Sequence, residues 1–201
     1  ALQHAHDAGV IHRDIKPANI VIDRQGKPWV LDFGVAKILG SGGISLTLPG
    51  TTVGTPAYMS PEQAMGRSEV IGPAADIYSL GAVLYELLTA HPPYEGPNPV
   101  RVMQEVVDHD PPPPRDLAPD ISRQAEAICQ KAMRRDPVDR FASGAALAQA
   151  CRDVQTGSGG LLAEEVREEA ADQPVAASGN RLLLVVVALA VAGLAALVLW
   201  R

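Results

Sequence analysis

Nineteen consecutive residues without a polar side chain, 182–200, constrain this 201-residue chain more than any other feature. At 1.5 Å of rise per residue they make a helix about 28 Å long, close to the roughly 30 Å hydrocarbon core of a bilayer. A helix on a globular surface keeps a polar stripe, and this one has none on any face. Trp200 stands where an interfacial aromatic belongs. A buried core helix is the competing reading, and the length argues against it. Residues 181–201 are therefore expected to be a transmembrane helix in a lipid bilayer. Ala188, Ala192 and Ala196 recur at every fourth position, which would let two such helices pack as a homodimer.

That segment accounts for part of the 47% hydrophobic content, so the remainder is ordinary for a globular domain. The net charge of −6, from 17 basic and 23 acidic residues, excludes nucleic acid as the main partner, since such proteins carry a basic footprint. Cys129 and Cys151 form no C-x-x-C and no disulfide framework, and they are expected to be buried, inert thiols. Residues 155–180 turn to small and acidic types, with Glu164, Glu165, Glu168, Glu169 and Asp172 against Arg167. Glu164 and Glu168 repel at i,i+4. An acidic flexible linker is expected there. The chain thus divides into a folded domain (1–154), a linker (155–180) and a span (181–201).

Within the domain, apolar periodicity predicts helices over 2–8, 73–89, 99–107, 121–134 and 143–154. Two short strands, 20–22 and 29–31, flank a D-R-Q-G-K turn. The expected class is mainly α.

The chemistry concentrates in two stretches. In I-H-R-D-I-K-P-A-N-I-V-I, residues 11–22, Pro17 forbids a regular helix interior and the end is β-branched, so 12–19 reads as a loop held against a sheet. That loop gathers a carboxylate (Asp14), a cation (Lys16) and an amide (Asn19). Phosphoryl transfer uses those types: a carboxylate to orient a hydroxyl and take its proton, a cation beside the transferring oxyanion, an amide oxygen for a hard metal ion. Asp32-Phe33-Gly34 follows the second strand; an Asp there suits Mg²⁺, and Gly34 lets the backbone turn. A third segment, G-T-P-A-Y-M-S-P-E, spans 54–62.

H-R-D-x-x-x-x-N, then D-F-G, then S-P-E, in that order, resembles the large lobe of the protein kinases. D-I-Y-S-L-G at 76–81 is similar to the central helix of that lobe, and D-P-V-D-R-F at 136–141 to a late element of it. The resemblance covers about 1–154 and is closest in style to bacterial eukaryote-like Ser/Thr kinases with one membrane span. Lys16 and G-T-P-A-Y favour the Ser/Thr subclass. By motif position it implies Asp14 as catalytic base, Lys16 as the phosphate-contacting cation, Asn19 and Asp32 as Mg²⁺ ligands, and Val21 beneath the adenine of ATP. It implies that Asp76 anchors the catalytic-loop backbone, that Glu62 pairs with Arg140, and that His12 braces the loop and stacks with Phe33. Arg13 implies a loop ordered by phosphate, with Thr47, then Thr51 and Thr52, as candidate acceptors. Protein substrates are the expected partners.

No glycine-rich loop and no V-A-I-K lysine occur in these 201 residues, so the small lobe is missing from them. The expectation is a membrane-anchored Ser/Thr kinase with its lobe cytoplasmic, where ATP and Mg²⁺ are. The lobe alone is expected to be silent. A non-catalytic, membrane-tethered kinase-like binding module is the competing class. A zinc or hydrolase site built on His4, His6 and His12 is disfavoured, since His4 and His6 point about 200° apart on a helix. The proline run at 111–114 reads as a stiff loop.

Overall fold

A computed structural model describes residues 1–33 and 56–156. The expected span, the linker from residue 157 onward, Gly34, Thr47, Thr51 and Thr52 lie outside the described residues; residues 155 and 156, expected to open the linker, continue the last helix instead. Among those described, no helix is long and apolar enough to cross a membrane.

The architecture is mainly helical with one two-stranded sheet. In chain order the elements are α1 (Leu2–Asp7), β1 (Ile20–Ile22), β2 (Pro28–Val30), α2 (Pro61–Ala64), α3 (Pro73–Thr89), α4 (Pro99–Asp108), α5 (Pro114–Leu117), α6 (Arg123–Ala132) and α7 (Gly144–Thr156). Single 3₁₀ turns stand at Pro17–Asn19, Pro56–Tyr58, Ser68–Val70 and Pro137–Asp139.

Helix α3 organises the rest. Pro73 occupies its first turn, where no backbone donor is needed. It ends at Ala90, which takes the left-handed conformation at φ 61°. Its apolar residues run round the whole circumference, so the helix is central rather than superficial. Helix α6 packs on it, α7 on α6, and α1 on α7. Gly81 permits the close approach to α6: a Cβ there would lie 2.8 Å from both Ala132 Cβ and Met133 Cγ. On α6, Ala125, Ile128, Cys129 and Ala132 are buried, a spacing that aims one face at α3. Its first turn is capped by Ser122 Oγ, which accepts from Ala125 N at 3.1 Å.

Several expected boundaries move, those of α1, α4 and α7 by one or two residues. The second strand is Pro28–Val30 rather than 29–31, because Ile22 pairs with Pro28, which needs no donor at a strand's first position. The proline run is not only loop: its last member starts the one-turn helix α5, as proline at a first helical position favours. Ser122 also starts α6 later than 121, and the helix closes at Ala132.

Candidate active site

Buried Ile11 and Ile15 pin the segment between α1 and β1 to the core. The residues between and beside them are left to meet one another. Lys16 Nζ donates to Asp14 Oδ2 at 2.8 Å, and Asn19 Nδ2 donates to the same oxygen at 3.0 Å and to the Asp14 carbonyl at 2.8 Å. Asp14 Oδ1 receives no hydrogen bond among the described residues. The Asp14 side chain is 30% exposed. Proximity of this kind allows a hydroxyl to be oriented without disturbing the loop.

His12 is fully buried. Its Nε2 lies 2.8 Å from the Leu31 carbonyl, which can only accept, so Nε2 carries a proton. Its Nδ1 accepts from Asp14 N at 3.2 Å, which leaves the ring neutral. One imidazole therefore ties the residue before Asp32 to the residue that bears the Asp14 carboxylate. Phe33 meets the same ring edge-on, with centroids 4.7 Å apart.

The backbone at Arg13 is left-handed, with φ 67°. For a long side chain that conformation is strained and persists only where neighbours impose it. Asp76 Oδ1 accepts from Arg13 N at 2.8 Å, and Asp76 Oδ2 from His12 N at 2.9 Å. From the other side, Gln63 Nε2 donates to the Arg13 carbonyl at 2.8 Å. Gln63 is itself fixed by Ser60, whose N and Oγ both donate to its Oε1. Arg13 Nε is buried without a partner among the described residues.

Asp32 is also left-handed, at φ 61°. The turn assigned from sequence to Gly34 thus begins at the aspartate itself, a residue type that tolerates this region. Ile20 faces Val30 in the sheet, and Leu31 N donates to the Asn19 carbonyl at 2.8 Å, so register brings Asn19 beside the strand end that bears Asp32. Because Asn19 Nδ2 is committed to Asp14, its Oδ1 remains as an oxygen donor. One amide oxygen and one exposed carboxylate suit Mg²⁺, which keeps several waters and phosphate oxygens of its own. No cluster of three or more His, Cys, Asp or Glu able to hold a metal occurs among the described residues.

Val21 faces Trp29 across the sheet; with Leu31 they form an apolar strip on one side, all 44–47% exposed. Ile20 and Phe33 are partly buried against the core, Ile20 because it alternates with Val21.

Glu62 and Arg140 meet in a bidentate pair at 2.8 Å for each oxygen. The remaining Arg140 donors go to the carbonyls of Ala74, Arg134 and Arg135, so every N–H of a buried guanidinium is used. Tyr58 donates to Glu86 Oε2 at 2.7 Å, and Ser79 Oγ to the Tyr58 carbonyl at 2.8 Å, which fastens the segment after residue 55 to α3. Burial, then Glu86, pushes the Tyr58 hydroxyl well above its ordinary range.

Sequence reasoning missed three participants. His6 Nε2 lies 2.8 Å from Asp76 Oδ2, Gln63 holds the Arg13 carbonyl, and Glu86 accepts from Tyr58. Only Gln63 had a local signal, as the third residue after a Ser-Pro start.

The protein kinase domain family matches residues 1–152. A probable serine/threonine-protein kinase of Streptomyces coelicolor is 42% identical over 158 residues, covering 77% of this chain and 23% of that protein. The serine/threonine-protein kinases PknB of Mycolicibacterium smegmatis and Mycobacterium tuberculosis are 43% and 42% identical over 145 residues, 72% of this chain and 23% of each relative. The chain spans less than a quarter of the length of these relatives.

Proposed function

The chain belongs to the protein kinase family, and from that premise we propose that it forms the large lobe of a Ser/Thr protein kinase that transfers the γ-phosphoryl group of ATP to protein hydroxyls. The observation that carries this reading is the Asp14 carboxylate, with one oxygen held by Lys16 and Asn19 and the other without a hydrogen bond among the described residues. Asp14 Oδ1 orients the substrate hydroxyl and takes its proton as the oxygen–phosphorus bond forms and the bond to the ADP oxygen breaks. Lys16, beside Asp14, offers its charge to the transferring oxyanion. Asn19 Oδ1 and Asp32 would hold Mg²⁺, which when bound neutralises charge on the phosphate oxygens. Val21, on the exposed strip, forms the floor for adenine. The rest of the nucleotide site is proposed to come from a small lobe.

The unpartnered Arg13 Nε supports control by phosphate on the segment that includes Thr47, Thr51 and Thr52. The apolar run at 182–200 supports membrane anchoring, with the lobe on the cytoplasmic side. Asp14→Asn and Asp32→Asn, each introduced into the protein with both lobes, should lower peptide phosphorylation by at least about 10³-fold while the circular dichroism spectrum is kept. Turnover close to that of the parent in either variant would overturn the assignment.

A further inference from the structure

We infer that the cleft between the proline run Pro111–Pro114 and helix α6 is a binding site for a neutral aromatic small molecule with a hydrogen-bond acceptor, which the Tyr85 hydroxyl engages. The inference stands apart from the transfer reading, since neither Asp14 nor Asp32 lines this cleft.

The chain has four tyrosines, and three of their hydroxyls are bonded. Tyr58 donates to Glu86. Tyr94 donates to the His109 carbonyl, which leaves Tyr78 to donate to the Tyr94 oxygen. Tyr85 is only 1% exposed, yet its hydroxyl has no hydrogen-bond partner among the described residues. A buried hydroxyl in that condition is costly and rare. Burial first, then Cys129, Tyr94 and Asp116, raise it from 10.0 to about 12, so at neutral pH it is a protonated donor.

The cleft has a volume of about 610 Å³, within the range of small-molecule sites, which set a few polar groups in an apolar lining. Its floor is Tyr85, Cys129 and Met133, none more than 4% exposed. Sulfur atoms of this kind favour aromatic rings. Cys129 Sγ already donates to the Gly81 carbonyl, so it does not compete for an acceptor on the ligand. The proline wall has no N–H to offer, which leaves the Tyr85 hydroxyl as the donor at the floor. That wall is fixed at both ends: Tyr94 holds the His109 carbonyl before it, and Glu126 accepts from Arg115 N after it at 2.9 Å. A wall already in place adds little ordering cost to binding.

The rim sets the charge of the ligand. Arg134 and Arg135 stand there against Asp110, Asp136 and Asp139, and Arg135 lies 3.9 Å from Asp110. Neither an anion nor a cation meets a field of one sign, so a neutral molecule fits best. A smaller cleft of about 370 Å³ adjoins at Tyr85, Asp110, Pro111 and Pro112, but neither Cys129 nor Met133 lines it. The ring is therefore placed in the larger cleft.

Methyl NMR of the full chain in lipid nanodiscs, labelled at its four methionines, tests this with acetophenone as the probe. The Met133 signal should shift saturably, with a Kd of about 1 mM or tighter. Met59, Met65 and Met103 do not line the cleft and should not move in step. Ethylbenzene has nearly the same shape without the carbonyl and should bind about threefold to tenfold more weakly, the worth of one neutral hydrogen bond. Tyr85→Phe removes a hydroxyl that bonds nothing in the fold, so the melting temperature should be kept and the preference for acetophenone should vanish. Gln130→Trp, at an exposed position on the rim, should fill the cleft and abolish the shift with either probe. It keeps the test decisive if Tyr85→Phe fails to fold. Benzoate and benzylammonium should each bind more weakly than acetophenone. No saturable Met133 shift up to about 20 mM acetophenone, equal affinity for the two neutral probes, or a preference that survives Tyr85→Phe would overturn the site. Tighter binding of benzoate or benzylammonium would overturn the neutral class.

Discussion

Helix α3 buries 13 of its 17 residues, whereas the β1–β2 hairpin leaves Val21 and Trp29 nearly half exposed along one face. The first region is held by apolar packing on every side. The second, which carries Asn19 and leads to Asp32, is held with its neighbouring loop by directional polar bonds. Asp76 of α3, Gln63 of α2 and the loop's own His12 ring make those bonds. The helical body sets its own shape, and the catalytic loop borrows its conformation from it. Left-handed Arg13 and Asp32 lie on the borrowing side, whereas the left-handed residue of the body, Ala90, is the cap that ends α3.

The strongest test of that division removes Arg140. Arg140→Met would strand the Glu62 carboxylate, only 5% exposed, inside the body. Breaking one half of a buried pair costs about 3–5 kcal/mol. Urea titration should show the lobe close to unfolded, with more than half of the loss recovered by adding Glu62→Gln. A loss below about 1 kcal/mol in the single variant would mean that the pair is not part of what holds the body.

Gly81→Ala is the next largest. Helix propensity favours alanine by roughly 1 kcal/mol, but the added Cβ meets Ala132 Cβ at 2.8 Å. Overpacking costs about 1–3 kcal/mol, so a net loss is expected. Increased stability on thermal unfolding would show that α3 and α6 can separate freely.

Alkaline unfolding should also begin in the body. Burial raises the Cys151 thiol from 9.0 to about 12 and the Tyr94 hydroxyl from 10.0 to about 12. Burial raises Cys129 as well. These groups stay protonated in the fold while the unfolded chain ionises them, so stability is full below about pH 9 and falls as pH rises toward 12. Thiol alkylation at pH 8 should be negligible until denaturant is added. Fast labelling of the native chain would contradict the burial.

The smallest effect is expected on the hairpin. Val21→Thr keeps the β-branch on the exposed face and should change stability by no more than about 0.5 kcal/mol. Binding of a hydrophobic dye should fall, since the apolar strip shrinks. A larger drop in the melting temperature would show that the strip is packed rather than open.

Much of this was legible beforehand. Helix α3 runs 73–89 as its proline start and apolar periodicity require, and β1 is the β-branched run 20–22. Those features are local: a cap, a period and a branched side chain act within a few residues. Likewise the order of His12, Asp14, Asn19 and Asp32 along the chain declares a chemistry, because residue type and spacing are written in the sequence. The bond from His6 to Asp76 spans 70 positions and that from Gln63 to Arg13 spans 50. No local rule reaches so far. The left-handed φ at Arg13 runs against the preference of its residue type, so only packing could impose it. By itself the sequence determined which groups are present and which segments become helix or strand. Tertiary structure alone decided how the catalytic loop is bent and what holds it, because a strained conformation exists only where distant donors and acceptors converge to outweigh its cost.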